Sequence, residues 1–428
     1  MIPSELIEKK RDGKSLSRNE ISSFIKAFSK GQIEDSQMSA MLMSIYFNGM
    51  NKDELFSLTE SMISSGEKIK FAKGNSYIAD KHSTGGIGDK ISIPLAPILA
   101  SLNIRVPMIV GRSLAFTGGT ADKLDSIQNF KTETSSKNFK NWVDKIGVAI
   151  ITQSEEICPA DKKIYALRDI TATVPSIPLI CSSIMSKKIA EGIQGLVIDI
   201  KVGNGAFMKS IKQAKELGKW LKSIGEEFNV STDIIFTSMD QPLGSFAGLK
   251  CEILESIDIL KGNGPDDSTK LVYEIASKII MKAQIRADPE SSIKLIEEVI
   301  KSGLAKQKFN EMILNQGGNP DNLFVDNNRK IENDFILSKK TGYVNSFNTE
   351  NIGWSLVELG CGRKNKLDSL NYDSGINFLK KTGDRVKKGD PLLKVFSNDI
   401  SKMNKAKSIL SKSIKIGDKK KNFRLFLD

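Results

Sequence analysis

Asp80-Lys-His-Ser-Thr-Gly-Gly-Ile-Gly-Asp89 is the stretch on which the reading of this chain turns. A short strand pattern, Tyr77-Ile-Ala79, precedes it, and a helical one over residues 91–102 follows. Gly85, Gly86 and Gly88 let the backbone take unusual φ values and approach a ligand closely. Lys81 and the hydroxyls of Ser83 and Thr84 converge where helix N-terminal amides point, an arrangement that holds a phosphate. It is not a Walker A loop, because no Gly-Lys-Ser/Thr follows at the required spacing, and the Rossmann G-x-G-x-x-G is missing. A second loop, Gly111-Arg-Ser-Leu-Ala-Phe-Thr-Gly-Gly-Thr120, follows the β-branched run Val106–Val110, and Val148-Ala-Ile-Ile151 reads as a third strand. Strands alternating with helices predict a parallel α/β sheet. Two Gly/Ser/Thr loops at the C-terminal ends of neighbouring strands predict one ligand crevice.

Outward from that segment, the first 65 or so residues read as helices. Ser17-Arg-Asn-Glu20 fits a capping box ahead of Ile21, Phe24, Ile25 and Phe28 at helical spacing. Residues 35–47 are apolar and Met-rich, a stripe that reads as core, and 53–63 continue with Leu55, Leu58 and Met62 on one face. Helix is predicted to resume from Asp122. Residues 160–193 read as helical with a break at Pro175 and Pro178 and a restart at Ser182. Leu196–Val202 is a buried-type strand, 211–228 an amphipathic helix, 234–237 a strand, and 268–285 and 291–304 helices. Beyond Gly342 the pattern turns to short strands and turns.

The chain has 428 residues, enough for two or three domains without disulfide staples. Its 39% hydrophobic and 27% charged residues are those of a folded globular protein. The longest apolar runs are too short for a membrane span, and the first 25 residues hold no secretory signal. The four cysteines are scattered, with no CxxC, which suits reduced thiols and a cytoplasmic location. The single histidine, His82, excludes His-rich metal sites and any mechanism needing two histidines. The net charge of +12 suggests nucleic acid, but residues 379–428 carry 15 Lys/Arg against 5 Asp/Glu, which accounts for +10 of it. That basic end lacks interleaved aromatics, so no nucleic-acid partner is expected.

Three further features bear on chemistry. His82 reads either as a structural histidine bonded to a loop carbonyl or as a hydrogen-bond or proton donor; its place in a Gly/Ser/Thr loop favours the second. Ser183 and Lys187 stand four residues apart on one helical face, and Arg168, in Tyr165-Ala-Leu-Arg-Asp169, supplies a planar fork for a carbonyl. The ordinary reading of Ser183, Lys187 and Arg168 is a helix-surface charge pattern.

Together these segments resemble the thymidine phosphorylase and pyrimidine nucleoside phosphorylase family over nearly the whole chain. The motifs are Asp80-Lys-His-Ser-Thr-Gly-Gly-Ile-Gly-Asp, Pro107-Met-Ile-x-Gly-Arg, Thr117-Gly-Gly-Thr-x-Asp-Lys-Leu, Tyr165-Ala-Leu-Arg-Asp, Ser186-Lys-Lys and Lys201-Val-Gly-x-Gly-Ala-Phe. The resemblance implies a discontinuous small helical domain (1–65 and 160–190), a larger α/β domain with a mixed sheet (70–158 and 191–335) and a small C-terminal α+β part (336–428). Within that last part, Thr382–Val395 resembles the hairpin of lipoyl/biotinyl-like domains, without the carrier lysine's Met-Lys-Met context. A homodimer joined through the helical domains is implied, as is closure of the two larger domains about hinges near 66–79, 155–160 and 188–194.

The implied reaction is phosphorolysis of a pyrimidine nucleoside to free base and (deoxy)ribose 1-phosphate, with thymidine, uridine or deoxyuridine as substrate. By resemblance, Arg168 and Lys187 donate to the base carbonyls, Ser183 contacts the N3 region and His82 lies by a ring carbonyl. Lys81, Ser83, Ser92 and Thr120 resemble the phosphate ligands, and Leu114, Ile180 and Phe207 the apolar pocket around base C5. Three departures stand out. Val110 replaces a usual Ser, removing a phosphate donor at a cost of about 1 kcal/mol. Ala115-Phe116 replaces a usual Gly-His, and Gly248-Leu249 a common Gly-Asn. Some members hold a structural monovalent cation near Glu255; Lys90 offers an ammonium in its place, so no metal is expected, and no cofactor beyond phosphate as co-substrate.

Three alternatives compete with this reading. A phosphoribosyltransferase of the related fold needs acidic residues for Mg²⁺ on pyrophosphate, and no matched pair accompanies this loop. The second is a nucleic-acid-binding protein. The third is an inactive paralogue, against which His82, Arg168, Ser183 and Lys187 argue.

Overall fold

The computed structural model of the chain describes residues 1–428 apart from 73, 75, 114, 115, 117, 326–329, 366, 367 and 428. The first helices are α1 (Pro3–Arg11), α2 (Arg18–Ser29), α3 (Asp35–Asn48) and α4 (Lys52–Ile63). Ser17 and Glu20 form the expected reciprocal cap, with the Glu20 carboxylate accepting from Ser17 N at 2.6 Å. The apolar faces of these helices bury Phe24, Phe28, Met38, Leu42 and Met62 in one cluster. Ala160, Ile164, Leu167 and Leu179 of a later stretch complete that cluster.

The chain then alternates β1 (Ala79–Ser83), α5 (Ser92–Ser101), β2 (Val106–Val110), α6 (Thr120–Leu124), α7 (Ser136–Ile146) and β3 (Val148–Thr152). It returns to the bundle as α8 (Pro159–Ile170) and α9 (Ile177–Ala190), and leaves it again as β4 (Gly195–Val202), α10 (Ile211–Glu227) and β5 (Ser231–Ser238). β1, β4 and β5 pair in parallel, as do β2 and β3. A parallel bridge from Ile78 to Arg105 stitches the two groups, so the strands run β3-β2-β1-β4-β5. The mixed character lies at the edge: residues 425–427 run antiparallel along β5, with Ser238 N donating to Leu425 O at 2.8 Å and Leu427 N to Phe236 O at 2.9 Å.

β6 (Phe246–Gly248), α11 (Lys250–Leu260), α12 (Asp266–Lys282), α13 (Pro289–Lys301) and α14 (Leu304–Asn315) follow. The C-terminal part holds β7 (Glu332–Leu337), β8 (Gly342–Phe347), α15 (Thr349–Glu358), β9 (Gly375–Phe378), β10 (Arg385–Val386), β11 (Pro391–Ser397), α16 (Ile400–Leu410) and β12 (Ile414–Gly417). Its antiparallel sheets run β6-β9-β11-β7 and β10-β8-β12, so the first borrows a strand from the preceding segment.

Three expectations need correcting. Helix does not run on from Asp122: α6 ends after one turn, and α7 starts only where Ser135 caps it through Asn138 N. α9 restarts at Ile177 and not at Ser182, because Pro178 sits in the first turn, where its missing N–H would be unpaired in any case. The region past Gly342 is not only strands and turns, since α15 and α16 lie within it. Among the described residues, no helix is long and apolar enough to cross a membrane.

Candidate functional site

Alternation along β1 sorts four consecutive side chains into two directions. Lys81 and Ser83 turn toward the first glycine loop. Ser83 Oγ donates to Asp89 Oδ2 at 2.5 Å, while Lys81 Nζ lies 3.7 Å from Asp89 Oδ1 and 3.4 Å from Ser92 Oγ. Ser92 is the first residue of α5 and buried. Two of the four expected phosphate ligands, Lys81 and Ser83, therefore meet at one carboxylate, and Ser92 joins them through Lys81. Thr120, the fourth, opens α6 in the loop after the neighbouring strand β2. Burial pushes the Lys81 ammonium below its ordinary pKa despite Asp89 and Asp199. For Asp89 burial acts upward, but Lys81, Lys201 and the Ser83 hydroxyl outweigh it and hold the carboxyl well below its usual range. A second buried pair lies on β4: Lys201 Nζ is 2.5 Å from Asp199 Oδ2, and Thr237 Oγ1 of β5 donates to Asp199 Oδ1 at 2.5 Å.

Asp80 and His82 turn the other way, toward α9. Asp80 is fully buried, accepts from Lys81 N at 2.7 Å and pairs with the Lys188 ammonium. Lys188 also donates to Ile109 O at 2.9 Å and to Glu191 Oε1 at 2.8 Å. This buried cluster docks the last turn of α9 on β1 and β2. Burial, reinforced by Asp80, lifts the Glu191 carboxyl well above its ordinary value against the pull of Lys188. His82 is half-buried. Burial first, then the positive charge of Lys188, Lys187 and Lys81, pushes its imidazole well below 6.5, so the ring is neutral at pH 7. A neutral ring donates a hydrogen bond from one nitrogen and accepts one at the other.

On α9, Lys187 Nζ donates to Ser183 Oγ at 3.0 Å and to Asp161 Oδ2 of α8 at 2.6 Å. Arg168 is 1% exposed; its Nη1 and Nη2 donate to Leu179 O at 2.9 Å and Val174 O at 2.8 Å, and its Nε is buried without a partner among the described residues. Burial lowers the guanidinium pKa, with Asp161 opposing. Arg168, Ser183 and Lys187 thus gather at the α8–α9 junction as buried or half-buried groups, so the surface-charge reading of them fails. Spacing along α9 gave the Ser183–Lys187 pair, but nothing local marks Asp161. It lies 26 residues from Lys187 in the first turn of α8, and only the docking of two helices joins them.

Ile180, in the first turn of α9, and Phe207, in the loop after β4, are half-buried and pack against the same apolar cluster. Leu114 lies outside the described residues. Phe116 is buried with its ring 6.1 Å from Phe207 and 6.0 Å from Trp354 of α15. A Cβ on Gly353 would fall 2.7 Å from Phe116 O, so only glycine allows α15 this close. The substitution at 116 therefore joins the second loop, Phe207 and the C-terminal part in one aromatic contact. Val110 closes β2 half-buried against the main core.

Behind the first loop, the fully buried Lys90 ammonium pairs with Glu255 and donates to Phe246 O at 2.9 Å and Leu243 O at 3.2 Å. Beside it Lys123, also fully buried, donates to Asp89 O at 2.7 Å and lies 2.7 Å from Glu252. Glu252 and Glu255 are one turn apart on α11, so that helix anchors the loop through two ion pairs.

Family models match three parts of the chain: "Glycosyl transferase family, helical bundle domain" over residues 4–66, "Glycosyl transferase family, a/b domain" over 75–306 and "Pyrimidine nucleoside phosphorylase C-terminal domain" over 343–417. The chain is 44% identical over 399 residues to the pyrimidine-nucleoside phosphorylase of Staphylococcus haemolyticus and 42% over 398 residues to that of Geobacillus stearothermophilus, each match covering 92% of both chains. Among solved structures, anthranilate phosphoribosyltransferase from Thermus thermophilus superposes with a TM-score of 0.55 over 72% of this chain and 98% of its own, at 14% identity, a likeness of fold alone. These matches show the family: the chain belongs to the pyrimidine-nucleoside phosphorylase family of glycosyl transferases, and by that membership is an enzyme that transfers a pentosyl group.

Proposed function

We propose that the chain catalyses reversible phosphorolysis of pyrimidine (deoxy)nucleosides, thymidine first and uridine or deoxyuridine after it, to free base and (deoxy)ribose 1-phosphate. One observation carries the reading. Strand β1 turns Lys81 and Ser83 toward the first glycine loop and Asp80 and His82 toward α9, where Lys187 and Lys188 lie, so one strand faces both groups. In this reading Lys81, Ser83, Ser92 and Thr120 hold the phosphate dianion on the face of the sugar opposite the base. A phosphate oxygen forms a bond to C1′ as the C1′–N1 bond breaks, and the electron pair leaves with the base. The charge growing on the base carbonyls meets the donors Arg168, Lys187 and the neutral His82, while Ser183 contacts the N3 edge. Ile180 and Phe207 line the apolar side, where C5 lies. No covalent intermediate with the protein is required. Neither is a metal, because every cationic role falls to Lys or Arg.

Closure of the helical domain onto the α/β domain expels water from this centre and strengthens its electrostatics. The chain works as a homodimer through its helical bundle, where Met43, Tyr46 and Phe47 of α3 are exposed. The test is base release from thymidine, uridine and deoxyuridine with and without inorganic phosphate. Phosphate-dependent release is expected. Release without phosphate, or none from any of the three, overturns the reading.

A further inference from the structure

Lys90 is a basic side chain at the glycine loop that turns away from the substrate crevice, and its surroundings are those of an ion. Two backbone carbonyls, Leu243 O and Phe246 O, and the Glu255 carboxylate converge on its ammonium. Glu255 is itself held in place, with Oε1 accepting from Ser245 N at 2.7 Å and Oε2 from Phe246 N at 3.2 Å. Gly244, at φ 72°, bends the chain around the ammonium so tightly that a Cβ there would lie 2.5 Å from Lys90 Nζ. Asp267 clamps the same turn from outside by accepting from Gly244 N at 3.1 and 3.2 Å. A carboxylate and carbonyl oxygens are a hard donor set suited to a cation, and an ammonium takes the oxygens that a monovalent ion of similar size would take. The resemblance points to a structural monovalent cation near Glu255. The residues here do not fit one, because the place is filled by a tethered charge that would repel it.

We propose that the Lys90 ammonium is a built-in monovalent cation that fixes loop 84–90 and frees this chain from potassium or sodium, and that removing it leaves a site for such an ion. The link runs along the loop. Lys90 adjoins Asp89, whose carboxylate gathers Lys81 and Ser83. An unfixed Lys90 position therefore loosens the phosphate face. The effect on phosphate rests on the phosphorylase reading, but the effect on stability does not.

The test uses the full chain as wild type, Lys90→Ala and Lys90→Met, at constant ionic strength in potassium, ammonium, lithium or choline chloride. Wild type should melt at the same temperature and work at the same rate in potassium and choline. Lys90→Ala should melt lower in choline and rise with added potassium or ammonium, as binding to the folded state requires. Its KM for phosphate should be raised about tenfold in choline and recover in potassium. Lys90→Met, whose side chain fills the space, should gain nothing from potassium. Wild type that needs potassium overturns the proposal, as does a folded Lys90→Ala that potassium does not stabilise. If Lys90→Ala does not fold in any salt, the other two proteins still decide: wild type indifferent to potassium with Lys90→Met unresponsive to it supports the proposal, and a potassium effect on either overturns it. Wild type that releases no base in any salt, alongside the expected melting pattern, overturns the phosphorylase reading and leaves this one standing.

Discussion

Replacing Lys187 by Met tests whether the base-side group is a charge pair or a set of independent donors. Lys187 Nζ lies 2.6 Å from Asp161 Oδ2, and the Asp161 side chain is 1% exposed, against 20% for Lys187. Asp161 Oδ1 has no hydrogen-bond partner among the described residues. Met at 187 would take from a buried carboxylate the ammonium that bonds it directly, leaving only the non-bonded charge of Arg168, and breaking such a buried pair costs about 3–5 kcal/mol. The partial exposure of Lys187 admits water and places the expectation at the lower end, about 3 kcal/mol. For a domain of this size that is about 6–12 °C in melting temperature. Asp161→Asn alone should cost less, because the ammonium it leaves can turn to solvent. The double variant Lys187→Met/Asp161→Asn, which carries neither charge, should melt above Lys187→Met. Turnover separates position from stability: Lys187→Met should lose most of it, and Asp161→Asn should lose about 10–100-fold, as for a lost charge-assisted hydrogen bond. The four proteins form a cycle read by calorimetry and by base release. A Lys187→Met variant melting within about a degree of wild type, or a double variant no better than the sum of the singles, refutes the argument.

His82→Ala should cut turnover while leaving circular dichroism and melting near wild type; unchanged turnover removes His82 from the chemistry. Because the folded state holds the His82 imidazole well below 6.5, the unfolded chain binds more protons as pH falls through 6.5. His82 should therefore lower wild-type stability by up to about 1.4 kcal/mol per pH unit below that point, and His82→Gln should show a flatter melting profile between pH 7.5 and 5.5. Val110→Ser should lower the KM for phosphate by roughly five- to tenfold, corresponding to one regained hydrogen bond; no change would mean the loop amides already saturate the anion.

Legibility of this chain followed sequence distance. The gathering of Lys81, Ser83 and Ser92 was readable because they sit within twelve residues of one strand–loop–helix, where residue type and order carry the geometry. The Ser183–Lys187 pair was readable for the same reason, as helical spacing. The Asp80–Lys188–Glu191 cluster and the Asp161–Lys187 pair were not readable, since each joins elements that meet only through packing. Pro178 was misread because a proline that would break a helix interior is well placed in a first turn. Residues 125–135 were misread: they are rich in Asp, Ser, Asn and Thr, whose side chains bond locally and favour loops over helix. Thr132 Oγ1 donates to Asp125 Oδ1 at 2.6 Å, and Arg112 Nη2 donates to Glu133 Oε1 at 2.8 Å.

The borrowed strand β6 has a consequence for anyone who would cut this protein into modules. The stretch matched as a C-terminal domain, residues 343–417, contains β9 and β11 but neither β6 nor β7, the strands that flank them. Expressed alone, it would present both outer rows of amides and carbonyls of that pair to solvent, an open template for self-association. Removing it from the rest of the chain would strip the partner from β6, whose Phe246 carbonyl and amide hold Lys90 and Glu255. A seam in the sequence is thus not a seam in the molecule, and recombination or truncation at residue 342 would damage the parts on both sides of the cut.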